Sequence, residues 1–333
     1  MIILAAIALS SFLAINIGGN NSAASMGPAY GAGARTKRES IALIAIFTLL
    51  GALIAGVPVI TTMGKGIVPN GVMSSELGLV LIVLVIAAIF ITWANLLTIP
   101  VATTHAIVCA IAGLGLYSNA LNSSKFIEIV IWWLLTPIIT FAISFLIGKF
   151  FYFKLLKFLT DKYSEAGIFR IFTVFLTISG TYVAFSAGSN NAANSIGPLV
   201  GMGLLNPSVG AVLAGVGMSI GAIFIGGRLI ETVGKEIGEI CIIRAVTVEL
   251  IGGTLIFLAS VKGIPVSLGE IITSGIIGFS CAIQGFSFTF KNRHVVRISL
   301  FWLVVPFAAI GLSYGMCVLY FEFGLRAVLG GVN

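Results

Sequence analysis

Long apolar runs separated by short polar gaps set the pattern of this chain. The runs cover roughly 1–17, 39–60, 77–97, 100–118 and 126–150, then 168–187, 207–230, 242–262, 265–282 and 298–321. Each is about long enough to cross roughly 30 Å of hydrocarbon as a helix. The pattern predicts an all-α integral membrane protein with five spans in each half. Between the first and second run of each half lies a stretch rich in Gly and Asn, INIGGNNSAASMGPAYGAGA at 15–34 and FSAGSNNAANSIGPLVGMGL at 185–204. Neither can cross alone, so each is expected to be a re-entrant or broken-helix motif enclosed by protein, because lipid cannot satisfy exposed N–H and C=O groups.

The two stretches align without a gap at an offset of 170 residues, placing Gly18, Asn20, Asn21, Ala23, Ser25, Gly27, Pro28, Gly31 and Gly33 on Gly188, Asn190, Asn191, Ala193, Ser195, Gly197, Pro198, Gly201 and Gly203. The register continues through Gly51 and Gly221, Gly56 and Gly226, Thr62 and Thr232, and Gly64-Lys65 and Gly234-Lys235. The chain therefore reads as two copies of one unit. They occupy 1–150 and 169–333, joined by a short basic linker at 151–168. An odd number of spans makes the second copy enter the membrane inverted, and inverted repeats with interrupted helices are an architecture of secondary transporters. Asn20 and Asn190 are then expected close together near the midplane.

Composition fixes the solvent. Hydrophobic residues make up 59% of the 333 and charged residues 9%, against roughly 25% charged in soluble domains. The net charge of +7 does not point to nucleic acid, because the basic residues occupy the gaps between runs. With the loop holding Arg35, Lys37 and Arg38 inside, all of the 18 Lys and Arg except Lys65, Lys125, Lys262 and Arg326 fall on the cytoplasmic side. A multi-pass plasma-membrane protein with both termini outside is expected. The first run lacks a basic leader, so it is not read as a cleaved signal peptide. Cys109, Cys241, Cys281 and Cys317 are far apart within apolar runs, which argues for small packed side chains rather than a metal or disulfide framework.

Asn20, Asn21, Ser22 and Ser25, with Asn190, Asn191, Asn194 and Ser195, make two converging sets of neutral donors and acceptors. A helix start nearby would add free N–H groups and a positive dipole end, both favourable to an anion. The alternative is that small polar residues merely let helices pack closely; duplication of the whole pattern favours a binding role. A second pair follows. TIPVATTH at 98–105 and GIPVSLGE at 263–270 align on Pro100 and Pro265, each just before a new apolar helix. Thr103, Thr104 and Ser267 would lie in or beside the first turns, with His105 and Glu270 in equivalent places. Glu249 lies inside an apolar run, where it either pairs with Arg244 or serves as a proton or cation site.

These two motifs, the PVATTH segment and the inverted halves resemble the inorganic phosphate transporter (PiT) family, which includes sulfate permeases as well as phosphate carriers. The resemblance covers essentially the whole chain, and the run AINIGGNNSAASMGPAYGAGA looks closer to the sulfate-permease branch. It implies an anion bound between the motifs and the helix starts, at Asn20, Asn21, Asn190, Asn191, Thr103, Thr104 and Ser267. The chain departs from the phosphate carriers where their usual Asn-Asp has become Asn20-Asn21 and Asn190-Asn191, where their second Ser-Thr-Thr-His has become Ser267-Leu268-Gly269-Glu270, and in its short central linker.

The first reading is a secondary-active permease, a symporter with alternating access, importing sulfate or phosphate. A passive anion channel is the alternative. No nucleophile–base pair, metal-ligand cluster or P-loop supports an enzyme or a nucleotide-driven pump, and the second histidine, His294, falls in a basic loop. No cofactor is expected beyond a coupling ion. Protons are favoured over sodium, with His105, Glu249 or Glu270 carrying the coupling charge, because both motif positions expected to be acidic are asparagine and hard cations prefer charged oxygens. A sodium ion, were one used, would sit near Asn20, Asn21, Asn190 and Asn191. The partners expected are the small inorganic anion and the lipid bilayer, with a homodimer as the assembly to test and no nucleic acid.

Overall fold

The computed structural model describes residues 2–69, 71–96, 103–236, 242–291 and 293–323. Pro100, Cys241 and Arg326 lie outside the described residues, as do the side chains of Thr232, Lys235, Arg293, His294 and Arg297. All regular structure among the described residues is helical. In chain order come α1 (Ile2–Gly31), α2 (Lys37–Ala55), α3 (Val57–Thr61), a π-helical turn (Thr62–Gly66), α4 (Val72–Ser75), α5 (Leu77–Leu96), α6 (Thr103–Tyr117), α7 (Ser123–Phe150) and α8 (Tyr152–Lys162). Then follow α9 (Glu165–Gly201), α10 (Pro207–Gly221), a second π turn (Ala222–Gly226), α11 (Gly227–Glu236), α12 (Ile242–Val261), α13 (Leu268–Gln284), α14 (Phe286–Phe290) and α15 (Arg293–Glu322).

Local chemistry sets the boundaries. Thr36 and Glu39 form a capping box at the start of α2, while Ser164 caps α9 and Asn206, followed by Pro207, caps α10. The turns that end α1 and α9 are alike. Gly33 and Gly203, 170 positions apart, have φ of 71° and 77°, a left-handed conformation that glycine adopts without strain. Beside each, Ala34 donates to the carbonyl of Ala29 and Leu204 to that of Leu199.

Glycine also sets how the long helices cross. A methyl group added at Gly18 would overlap the Met218 backbone, and one at Gly188 would overlap that of Thr48; Gly221 is as close to Ile15, and Gly51 to Phe185. Within each of these two sets a 170-residue shift turns one contact into the other, so α1 crosses α10 as α9 crosses α2. Gly188→Ala or Gly18→Ala is expected to cost about 1 to 3 kcal/mol or more by forcing backbones apart. Nothing lies within 4 Å of a Cβ built at Gly311, so Gly311→Ala is the control. Thermal unfolding in detergent checks this: both crossing variants should melt lower, and the control should not.

The structure departs from the expected spans in two respects. First, the Gly/Asn motifs are not interrupted. They run as unbroken helix inside α1 and α9, of 30 and 37 residues, and so satisfy their own backbone groups. Their glycines serve close crossing. Second, the fourth runs of the two halves begin beside each other inside the protein, at the starts of α6 and α13. Among the described residues seven helices are long and apolar enough to cross a membrane, whereas α6 and α13, of 15 and 17 residues, are shorter. The start of α6 touches the turn before α13, with Thr104 Oγ1 donating to the Val266 carbonyl over 2.9 Å. The turn at 262–267 is therefore a tip enclosed by protein, where side chains can satisfy its carbonyls.

Candidate functional site

The site forms where the middle of α1, the second half of α9 and the starts of α6 and α13 converge. Asn191 Nδ2 donates to Asn21 Oδ1 over 3.3 Å, joining the same motif position of the two copies. The sequence expects Asn20 and Asn190 close together, and the hydrogen bond between the two motifs is made by the residues that follow them. Asn190 does different work. It is wholly buried and holds the α13 tip, donating through Nδ2 to Ser260 Oγ and the Ile264 carbonyl, both at 3.0 Å, and accepting at Oδ1 from Val266 N–H at 2.9 Å. Asn20 is half-buried on the neighbouring turn of α1.

Asn194, one helical turn beyond Asn190, reaches across to the first turn of α6, donating to Thr104 Oγ1 at 3.0 Å and to Thr103 Oγ1 at 3.5 Å. Because Thr104 passes its own proton to Val266, these bonds form one line from α9 through α6 to the tip before α13. Ser267 caps α13, its hydroxyl accepting from Glu270 N–H, which leaves the hydroxyl proton available. Three atoms of this cluster, Asn21 Nδ2, Asn191 Oδ1 and Asn194 Oδ1, are buried with no hydrogen-bond partner among the described residues. Unsatisfied buried amides are costly, and here they are gathered beside the first turn of α6.

Next to the helix starts lies a buried pair. His105 Nδ1 sits 3.2 Å from Glu270 Oε1, an ion-pair distance without hydrogen-bond alignment. Trp133, on α7, packs its ring against the imidazole with centroids 3.8 Å apart, and its indole N–H donates to the Pro265 carbonyl at 2.8 Å. Three successive carbonyls of the tip, those of residues 264, 265 and 266, are thus each engaged by a side-chain donor.

Two expected residues lie apart from the cluster. Ser22 turns its hydroxyl onto the Gly18 carbonyl of its own helix and packs against Gly226. Glu249 is buried on α12 and accepts a short hydrogen bond from Ser179, whereas Arg244 reaches Ser280 on α13. Ser179 precedes Asn190 by 11 residues on α9, about 16 Å along the helix, so Glu249 is separated from the amide cluster. Trp133 and Ser260 were not singled out from sequence. Trp133 is one of two adjacent tryptophans in an apolar run and Ser260 one hydroxyl near a helix end; neither spacing carries a signal.

The sequence profile of the Phosphate transporter family matches residues 17–313. The sulfate permease CysP of Bacillus subtilis (strain 168) is 35% identical over 321 residues, covering 96% of this chain and 88% of that protein. A solved structure titled as the sodium-dependent phosphate transporter superposes with a TM-score of 0.79 at 26% identity, covering 97% of this chain and 99% of its own. These relatives are a permease and a transporter, not enzymes. With the match running through both motifs and both helix starts, the chain belongs to the phosphate transporter family.

Proposed function

We propose that the chain is a secondary-active importer of a tetrahedral inorganic oxyanion, sulfate in the first place, working as a proton symporter in the plasma membrane by alternating access of two inverted repeats. The observation that carries the reading is the cluster of unpartnered, buried amide atoms of Asn21, Asn191 and Asn194 beside the first turn of α6. An anion there gains the positive end of the helix and its free N–H groups without a neighbouring carboxylate in either motif. The start of α13 is less suited, since Glu270 occupies its first turn. The contacts exchanged by a 170-residue shift support the repeats, and Asn21 with Asn191 would lie on their common axis.

Two observations support protons over sodium. The carbonyls of 264, 265 and 266, the tip oxygens a cation would seek, already serve side-chain donors. His105 and Glu270 form a buried pair able to share one exchangeable proton beside the anion position. A second substrate, protonated phosphate, is favoured by two atoms: Asn191 Oδ1 and Asn194 Oδ1 are acceptors without a partner among the described residues, and sulfate has no proton to give them.

Uptake of labelled sulfate into proteoliposomes, with unlabelled phosphate as competitor, tests the assignment. Sulfate accumulation resistant to excess phosphate supports it, and preferential phosphate uptake assigns the second reading instead. Ser267→Ala, which removes an available hydroxyl donor, is expected to weaken anion binding by about 1 to 3 kcal/mol, and Thr104→Ala, which removes the oxygen holding Asn194 beside the site, is expected to weaken it indirectly. Unchanged half-saturation in both variants would make these hydroxyls structural.

A further inference from the structure

We infer that α8 and α14 form a docking surface for anionic phospholipid headgroups at the Lys-rich end of α7. On α8, Tyr152, Leu155, Leu156 and Leu159 share one face, and Lys154, Lys157 and Asp161 share the opposite one. The apolar face is only partly covered. Leu159 alone is buried, Leu155 and Leu156 remain about two-fifths exposed, and Phe153, on the flank between the faces, is 66% exposed. The helix is tethered by the Tyr152 ring, which meets Phe279 of α13 edge-on at 5.7 Å.

α14 adds a second aromatic wedge at the same end. Phe286 packs on Phe145 of α7 at 5.4 Å and stacks on Phe290 at 6.3 Å, while Phe288 is 69% exposed. On the last turn of α7, Lys149 places its ammonium 5.7 Å from the centre of Phe145 and 5.6 Å from that of Phe150. At the far end of α8, Lys162 lies over Phe158 and Tyr163. Ammonium groups held over exposed rings, those of Phe150, Phe158 and Tyr163, match the boundary between acyl chains and headgroups, where the rings enter the apolar layer and the cations meet phosphates.

Charge decides the headgroup class. Lys149, Lys154, Lys157 and Lys162 on α7 and α8, with Lys291 after α14, face one acid on α8, Asp161, and one at the start of α9, Glu165. A zwitterionic surface offers such a cluster little, whereas an anionic one is worth about 1 kcal/mol per basic residue near it. This inference is independent of the transported ion.

The test places a reporter at the exposed flank. Phe153→Trp in the full chain is reconstituted into bilayers containing equal fractions of brominated phosphatidylglycerol or brominated phosphatidylcholine, with the parent chain subtracted for its own tryptophans. Quenching by the anionic lipid is expected to be about fivefold stronger or more. Adding Lys154→Gln, Lys157→Gln and Lys162→Gln should bring the two lipids to equal quenching while α8 stays at the interface. Equal quenching in the Phe153→Trp protein, or a preference that survives the three Gln substitutions, would overturn the proposal.

Discussion

Asn190→Ala is expected to abolish transport while the chain still inserts in the membrane. The amide makes two bonds to the tip before α13 and a third to Ser260 at the end of α12, and its loss leaves the Ile264 carbonyl and the Val266 N–H short of a partner in the protein interior, whereas Ser260 keeps Ser189 and Ile256. Each unpaired group costs about 1 to 3 kcal/mol, so the tip should detach from α9 before the long helices separate. Thr104 and Trp133 hold the same turn, and their bonds would be strained with it. Asn190→Asp keeps the acceptor for Val266 but loses both donors, and should fail as well. Uptake in proteoliposomes and limited proteolysis around 262–267 measure the two halves of this expectation. Normal uptake by Asn190→Ala would show that the tip needs no such anchor.

Glu270→Gln is expected to remove proton-driven accumulation and to leave substrate exchange across the membrane intact. The one proton shared by His105 and Glu270, moving down a gradient of one pH unit, supplies about 1.4 kcal/mol, enough for roughly a 10-fold accumulation at equilibrium. A glutamine keeps the size of the side chain but cannot share a proton with His105 across their 3.2 Å separation. Accumulation should then fall by about that factor, and the uptake rate should lose its rise as the outside is acidified. Glu249→Gln is the companion variant, since Glu249 is the other buried carboxyl among the described residues and Gln can still accept from Ser179. Retained accumulation in Glu270→Gln with loss in Glu249→Gln would move the coupling proton to α12. Retention in both would remove carboxylates from the mechanism.

The repeat at 170 residues was legible because identical local packing problems were solved with identical residues: Gly33 and Gly203 end their helices alike, and Gly18 and Gly188 admit equivalent backbones. The convergence of the two motifs was legible too, through duplication of polar residues in an apolar setting. What the sequence misplaced was the break in the helices. Glycine and asparagine suggest interruption when read by propensity, yet in α1 and α9 they are small residues at helix crossings, and tertiary contact overrides propensity. The tip at 262–267 is legible in part through Gly263, whose φ of 69° turns the chain just before Pro265 and α13. The roles of Asn190 and Trp133 as anchors of that tip rest on contacts 70 to 132 residues apart along the chain, which local spacing does not encode.

Most direct for the central claim is uptake of labelled sulfate by the purified chain in proteoliposomes under two separately imposed gradients. In sodium-free buffer an inward proton gradient is predicted to drive accumulation above equilibrium, and an inward sodium gradient at equal pH on both sides is predicted to drive none. Accumulation with sodium alone, and none with protons, would contradict the account.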